Sequence, residues 1–92
     1  MDLEHIDGHK KGEVILFALS TCGWCKKTRS LLEELGIAYD YIYVDLTEND
    51  ERIEALEELK RWNSSLSFPT LIINNERVII GFDRTSIVGA LG

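Results

Sequence analysis

The chain has few of the residues that define specialised architectures: one proline, two cysteines and one methionine in 92 residues. Two cysteines are too few for a disulfide-framework miniprotein. No run approaches the roughly 18 to 20 uninterrupted apolar residues that a membrane span needs. The start, MDLEHIDGHKKG, lacks the basic-then-apolar order of a secretory signal, so a soluble, intracellular, cytoplasmic protein is expected. Net positive charge is missing as well. A formal charge of −6 argues against nonspecific binding to nucleic acid or anionic lipid, because neither polyanion gains counterion-release energy from such a surface. There is no internal repeat and no low-complexity tract.

What is present fits one compact domain: 45% hydrophobic residues in a chain long enough for a single core. Charge is unevenly spread. Glu48, Asp50, Glu51, Glu54, Glu57 and Glu58 crowd one stretch, read as a solvated helix face, while Lys26, Lys27 and Arg29 cluster behind the cysteines.

Residues 1–12, polar and carrying Gly8 and Gly12, are expected to form a flexible extension before a domain over 13–92. His5 and His9 have a spacing that suits metal ligation on a helix, but Gly8 between them disfavours one, leaving an exposed tail. VILFAL, Val14 to Leu19, lacks polar alternation and reads as a strand buried on both faces. From Trp24, the series Cys25, Thr28, Leu31, Leu32 and Leu35 repeats at helical intervals, with Gly36 as its stop. Ile37 to Leu46, with Tyr39, Tyr41 and Tyr43 alternating, predicts a second strand. Thr47 to Asn63 predicts a second helix, with Thr47 as N-cap and Ile53, Leu56, Leu59 and Trp62 along one face. Leu71–Ile73 and Arg77–Ile80 around Asn74-Asn75 read as a β-hairpin, and Asp83 caps a closing helix from Thr85 to Leu91. The order β-α-β-α-β-β-α implies an α/β fold: a four-stranded mixed sheet flanked by helices on both faces.

Both cysteines lie in Ser20-Thr21-Cys22-Gly23-Trp24-Cys25, where the first strand gives way to the first helix. Open α/β sheets place their chemistry at this end of a strand. A helix N-terminus offers unpaired amides and the positive end of the dipole to a thiolate, and Cys22 has that position. Cys25, one turn further in, is shielded. The asymmetry makes Cys22 the attacking nucleophile and Cys25 the resolving thiol. Gly23 is expected to allow a sharp turn, and Trp24 to present a flat apolar surface beside the sulfur. Lys26 and Lys27 either reach back to the thiolate or are ordinary exposed helix residues. Two buried cysteines acting as small hydrophobes would be the plain alternative. A metal site would need ligands beyond the two thiolates, and no second Cys-x-x-C or ordered His pair supplies them, so no metal is expected within the chain.

Three separated motifs, STCGWC after the first strand, SFPT before the hairpin and IIGFD after it, resemble those of glutaredoxins in the thioredoxin-fold superfamily, over about residues 13–92. The resemblance implies a dithiol-disulfide oxidoreductase with a redox-active Cys22–Cys25 disulfide. It implies a substrate surface of Thr21, Gly23 and Trp24, of Phe68, cis-Pro69 and Thr70, and of Gly81, Phe82 and Asp83. The Phe68 main chain would pair with the substrate, and the Gly81–Asp83 turn would face bound glutathione. Leu19 and Phe82 stand where family members commonly have lysine and a second glycine, so the reductant stays open: glutathione, another small thiol, or a thioredoxin-reductase-type enzyme. No further cofactor is expected. The partners implied are disulfide-containing proteins or small disulfides, for a monomer with no nucleic-acid or membrane partner. The alternative is an iron-sulfur cluster bridged between two subunits through Cys22, which a small residue at position 23 would permit.

Overall fold

The computed structural model describes residues 1–92. In chain order it contains β1 (Glu4–Ile6), β2 (Val14–Ala18), α1 (Gly23–Glu34), β3 (Tyr39–Tyr43), a single 3₁₀ turn (Val44–Leu46), α2 (Asn49–Trp62), β4 (Thr70–Ile73), β5 (Arg77–Ile80) and α3 (Arg84–Leu91). The strands form one mixed sheet in the order β1-β3-β2-β4-β5. Only β2 and β3 run parallel, joined by the α1 crossover; the other neighbours are antiparallel.

The sheet therefore has five strands rather than four, and residues 4–6 are part of it. Glu4, His5 and Ile6 pair with Tyr41, Asp40 and Tyr39, so the stretch expected to be a flexible extension supplies an edge strand. Its polar composition hid it. An edge strand needs only one row of main-chain hydrogen bonds, and charged side chains are common on such edges.

β2 lies between β3 and β4 and is buried on both faces, as its unbroken apolar run predicts. Val14, Leu16 and Ala18 face one core with Leu31 and Leu32 of α1 and Ile87 and Leu91 of α3. Phe17 faces the other with Ala55 and Leu59 of α2. The period of two along the strand thus places α1 and α3 on one side and α2 on the other.

The boundaries of several elements shift. The second strand stops at Tyr43, where the chain turns through the 3₁₀ segment. Thr47 does not cap α2: its hydroxyl donates to the Val44 carbonyl at 2.6 Å, and Glu48 occupies the N-cap with no side-chain bond. The hairpin turns through Asn74 and Asn75, both at φ near +55°, a conformation asparagine tolerates better than most residues. Asp83 caps α3 as expected, accepting the Ser86 N–H at 3.0 Å.

Candidate active site

The parallel pairing of β2 with β3 ends at Ala18 opposite Tyr43. The chain leaves β2 through Leu19, Ser20 and Thr21 and enters α1 with Cys22 as N-cap. Cys22 has extended backbone angles, and its Sγ accepts the main-chain N–H of Cys25 at 3.2 Å. A sulfur in this position takes up one of the amides that a helix start leaves unpaired. Cys22 is half-buried, whereas Cys25 is 1% exposed and packed among Leu16, Leu31 and the rest of the larger core. Both are free thiols in this structure.

Burial pushes the Cys25 thiol up to about 12, and the hydrogen bond with Cys22 acts in the same direction. Water cannot solvate a thiolate there, and a second sulfur lies beside it. The two sulfurs are thus chemically distinct. One is reachable and held by a helix N–H; the other is enclosed and keeps its proton.

Gly23 departs from its expected role. It is the first residue of α1, and its φ lies outside the left-handed region. The sharp turn does not depend on it. Trp24 is 58% exposed and stacks on Phe82, with ring centroids 5.8 Å apart and an interplanar angle of 22°. Lys27 Nζ lies 4.9 Å from the centre of the Trp24 ring, a cation–π contact. Lys27 thus engages the tryptophan face.

The proline loop and the third motif meet beside Trp24. The Phe68–Pro69 peptide bond is cis. The Pro69 carbonyl accepts the Gly81 N–H at 2.8 Å, which ties the loop to the end of β5. Phe68 has no main-chain hydrogen-bond partner within the chain. Gly81 sits at φ +80°, a conformation that favours glycine. Trp24, Phe68, Pro69, Gly81 and Phe82 line a groove of about 270 Å³, so the structure brings these residues of all three motifs together.

Thr70 and Asp83 are placed differently. The Thr70 side chain is fully buried; its hydroxyl donates to the Ser67 carbonyl and accepts from Asn63 Nδ2 at 3.0 Å, so it braces the loop from behind. The Asp83 carboxylate is occupied by the Ser86 N–H and hydroxyl. Those bonds hold its carboxyl below the usual range. Thr21 is exposed beside Cys22.

One residue absent from the motif reading belongs to this site. Asp45, just after β3, accepts both the N–H and the hydroxyl of Ser20. No signal in the sequence singled it out, since the second strand was expected to run through Asp45 to Leu46; only where the strands end, at Ala18 and Tyr43, and their parallel register bring Ser20 and Asp45 together. No group of three or more His, Cys, Asp or Glu side chains is placed to hold a metal ion within the chain, so a cluster on Cys22 would need ligands from outside it.

The glutaredoxin family model matches residues 14–78, from the start of β2 into β5. The chain is 51% identical to a glutaredoxin from Methanosarcina mazei Go1, with a TM-score of 0.90 over 98% of this chain and 87% of that one. It is 46% identical to methanoredoxin from Methanosarcina acetivorans, with a TM-score of 0.89 over 92% of this chain and 90% of that one. An uncharacterized glutaredoxin-like 8.6 kDa protein of the rubredoxin operon of Clostridium pasteurianum is 26% identical over 72 residues, spanning 78% of this chain and 88% of that protein. The fold and site define a thioredoxin-like protein with a two-cysteine centre. The chain belongs to the glutaredoxin family.

Proposed function

We propose that this chain is a dithiol-disulfide oxidoreductase that reduces disulfides through Cys22, with Cys25 as resolving thiol. The observation that carries the reading is the contrast between a half-buried Cys22 sulfur held by the Cys25 N–H at the start of α1 and a fully buried Cys25. Cys22, as thiolate, attacks one sulfur of a substrate disulfide. A Cys22 mixed disulfide forms and the other half leaves as a thiolate, which takes up a proton. Cys25 then loses its proton and attacks the Cys22 sulfur. The mixed bond breaks, the second substrate thiolate leaves, and Cys22–Cys25 closes as a disulfide. The substrate gains two electrons and two protons, and the pair loses the same.

The order of events follows from the environment of Cys25. Part of what holds its proton is Cys22 itself, by hydrogen bond and by charge. Once Cys22 is in a mixed disulfide its charge is gone, and the resolving thiol ionises more readily. The helix start, the cis-proline loop with its free Phe68 main chain, and the Trp24–Phe82 wall together form the substrate surface. Substrates are proteins or small molecules carrying an accessible disulfide. Glutathione, another small thiol or a thioredoxin-reductase-type enzyme restores the dithiol, and the protein works as a monomer without a bound cofactor.

The test is trapping. Cys25→Ser should accumulate a stable mixed disulfide at Cys22 when treated with a disulfide substrate, seen as a mass increase removed by dithiothreitol. Trapping on Cys22→Ser instead would reverse the roles, and no adduct on either variant would defeat the reading. A reduction assay that offers several small thiols and a thioredoxin reductase in turn would identify the electron donor.

A further inference from the structure

Asp45 lies outside the three motifs, yet both its carboxylate oxygens are committed to the turn that carries the nucleophile. Oδ1 accepts the Ser20 N–H at 2.8 Å, and Oδ2 accepts the Ser20 hydroxyl. The parallel register sets this meeting: Ala18 pairs with Tyr43, and Ser20 and Asp45 follow two residues later on each strand. Arg52 of α2 secures the far side, donating to the main-chain carbonyls of Asp45, at 3.2 Å, and Thr47. On the near side, the Leu19 carbonyl accepts the Cys22 N–H at 3.2 Å. The short path from β2 to the sulfur is therefore held from two strands and a helix.

We propose that Asp45 is a positioning residue for the thiol pair: through Ser20 it fixes the turn that carries Cys22 against the Cys25 amide, and it sets one permanent negative charge within electrostatic reach of Cys25. The proposal rests on the disulfide-exchange reading and adds a residue to it. Charge-assisted hydrogen bonds are the stronger kind, and two of them converge here on one residue. The titratable groups that act on Cys25 are Cys22 from α1 and Asp45 from the turn after β3; Asp45 in turn faces Arg52 from α2. The Ser20 hydroxyl, chiefly, holds the Asp45 carboxyl below the usual carboxylate range, so its charge persists throughout neutral pH. That charge adds to burial and to Cys22 in keeping the Cys25 proton in place. Premature ionisation of the resolving thiol is thereby opposed, and its path to the Cys22 sulfur is kept short.

A single-turnover experiment separates the two effects. The reduced protein is mixed with one equivalent of a chromogenic aromatic disulfide, and the second release of coloured thiolate, caused by Cys25 attacking the Cys22 mixed disulfide, is followed against pH. Asp45→Asn should move the midpoint of that pH–rate profile to lower pH and lower its high-pH plateau, on the order of tenfold for a displaced nucleophile. Ser20→Ala, which keeps the charge and the main-chain contact, should lower the plateau and leave the midpoint in place. Wild-type midpoint and plateau in Asp45→Asn, with only its melting temperature reduced, would show a purely structural residue. Absence of the second release in the wild-type protein would sink the disulfide-exchange reading instead. Carbon-13 titration of the Cys25 Cβ in a Cys22→Ser background then tests the placement without any disulfide: a lower midpoint with Asp45→Asn supports it, and an unchanged one overturns it.

Discussion

Between the two cysteines, a methyl group on Gly23 would meet no atom within 4 Å, and the backbone there requires no glycine. Gly23→Ala should therefore stabilise the fold by about 0.4–1 kcal/mol, chiefly by restricting the unfolded chain. Urea unfolding midpoints at constant slope would show it; a lower midpoint would reveal a backbone demand that these dihedral angles do not contain. Gly81 is the opposite case, since its φ of +80° strains any L side chain. Both glycines stand out in the motifs, but sequence alone could not tell which one the backbone needs. The cysteines were more legible, because their spacing at a strand-to-helix junction fixes which one meets the helix start. The pairing of Ser20 with Asp45 was not legible: a serine after a strand and an aspartate read as part of the next one are ordinary until the sheet brings them together.

Among the elements, β1 is where local pattern and tertiary outcome part. Three polar-flanked residues carry no strand periodicity, yet they pair with β3 and bring His5 directly opposite Asp40. His5 Nδ1 lies 2.7 Å from Asp40 Oδ1, and Nε2 lies 3.0 Å from Asp7. The hydrogen bond to Asp40, first of the causes, raises the imidazole above its ordinary 6.5. A raised folded-state value gives a contribution fully present below pH 6.5 that fades as the pH climbs through the folded value. The groups are exposed, so the effect is local and salt-sensitive. After correction for intrinsic exchange, the β1 amides should show greater hydrogen-exchange protection at pH 6 than at pH 8, and His5→Gln should abolish the difference. Equal protection at both pH values would mean that the main-chain ladder alone holds the strand. The two amphipathic helices and the hairpin, by contrast, were visible in the sequence, because burial of one face writes itself into residue spacing.

For the molecule as a whole, β2 joins the two cores, with Leu16 in one and Phe17 in the other, both fully buried. Leu16→Ala should cost about 2–5 kcal/mol, the range for a cavity that its surroundings only partly close. One cooperative transition at lower denaturant would confirm that the layers unfold together; two separated transitions would mean that the sheet does not couple them. At this scale the sequence determined the layer order and the end of the sheet that carries chemistry, since an apolar strand followed by a cysteine-bearing helix admits few arrangements. It also determined which cysteine is the more accessible, through the place of each at the start of the helix. The tertiary structure decided what depends on distant segments meeting: the fifth strand, the Trp24–Phe82 wall of the groove, and the Asp45 hold on Ser20. Local periodicity records which face of an element is buried. It does not record the register between strands or the long-range polar contacts that the register creates, and one such contact, Asp45 with Ser20, holds the turn that leads to Cys22.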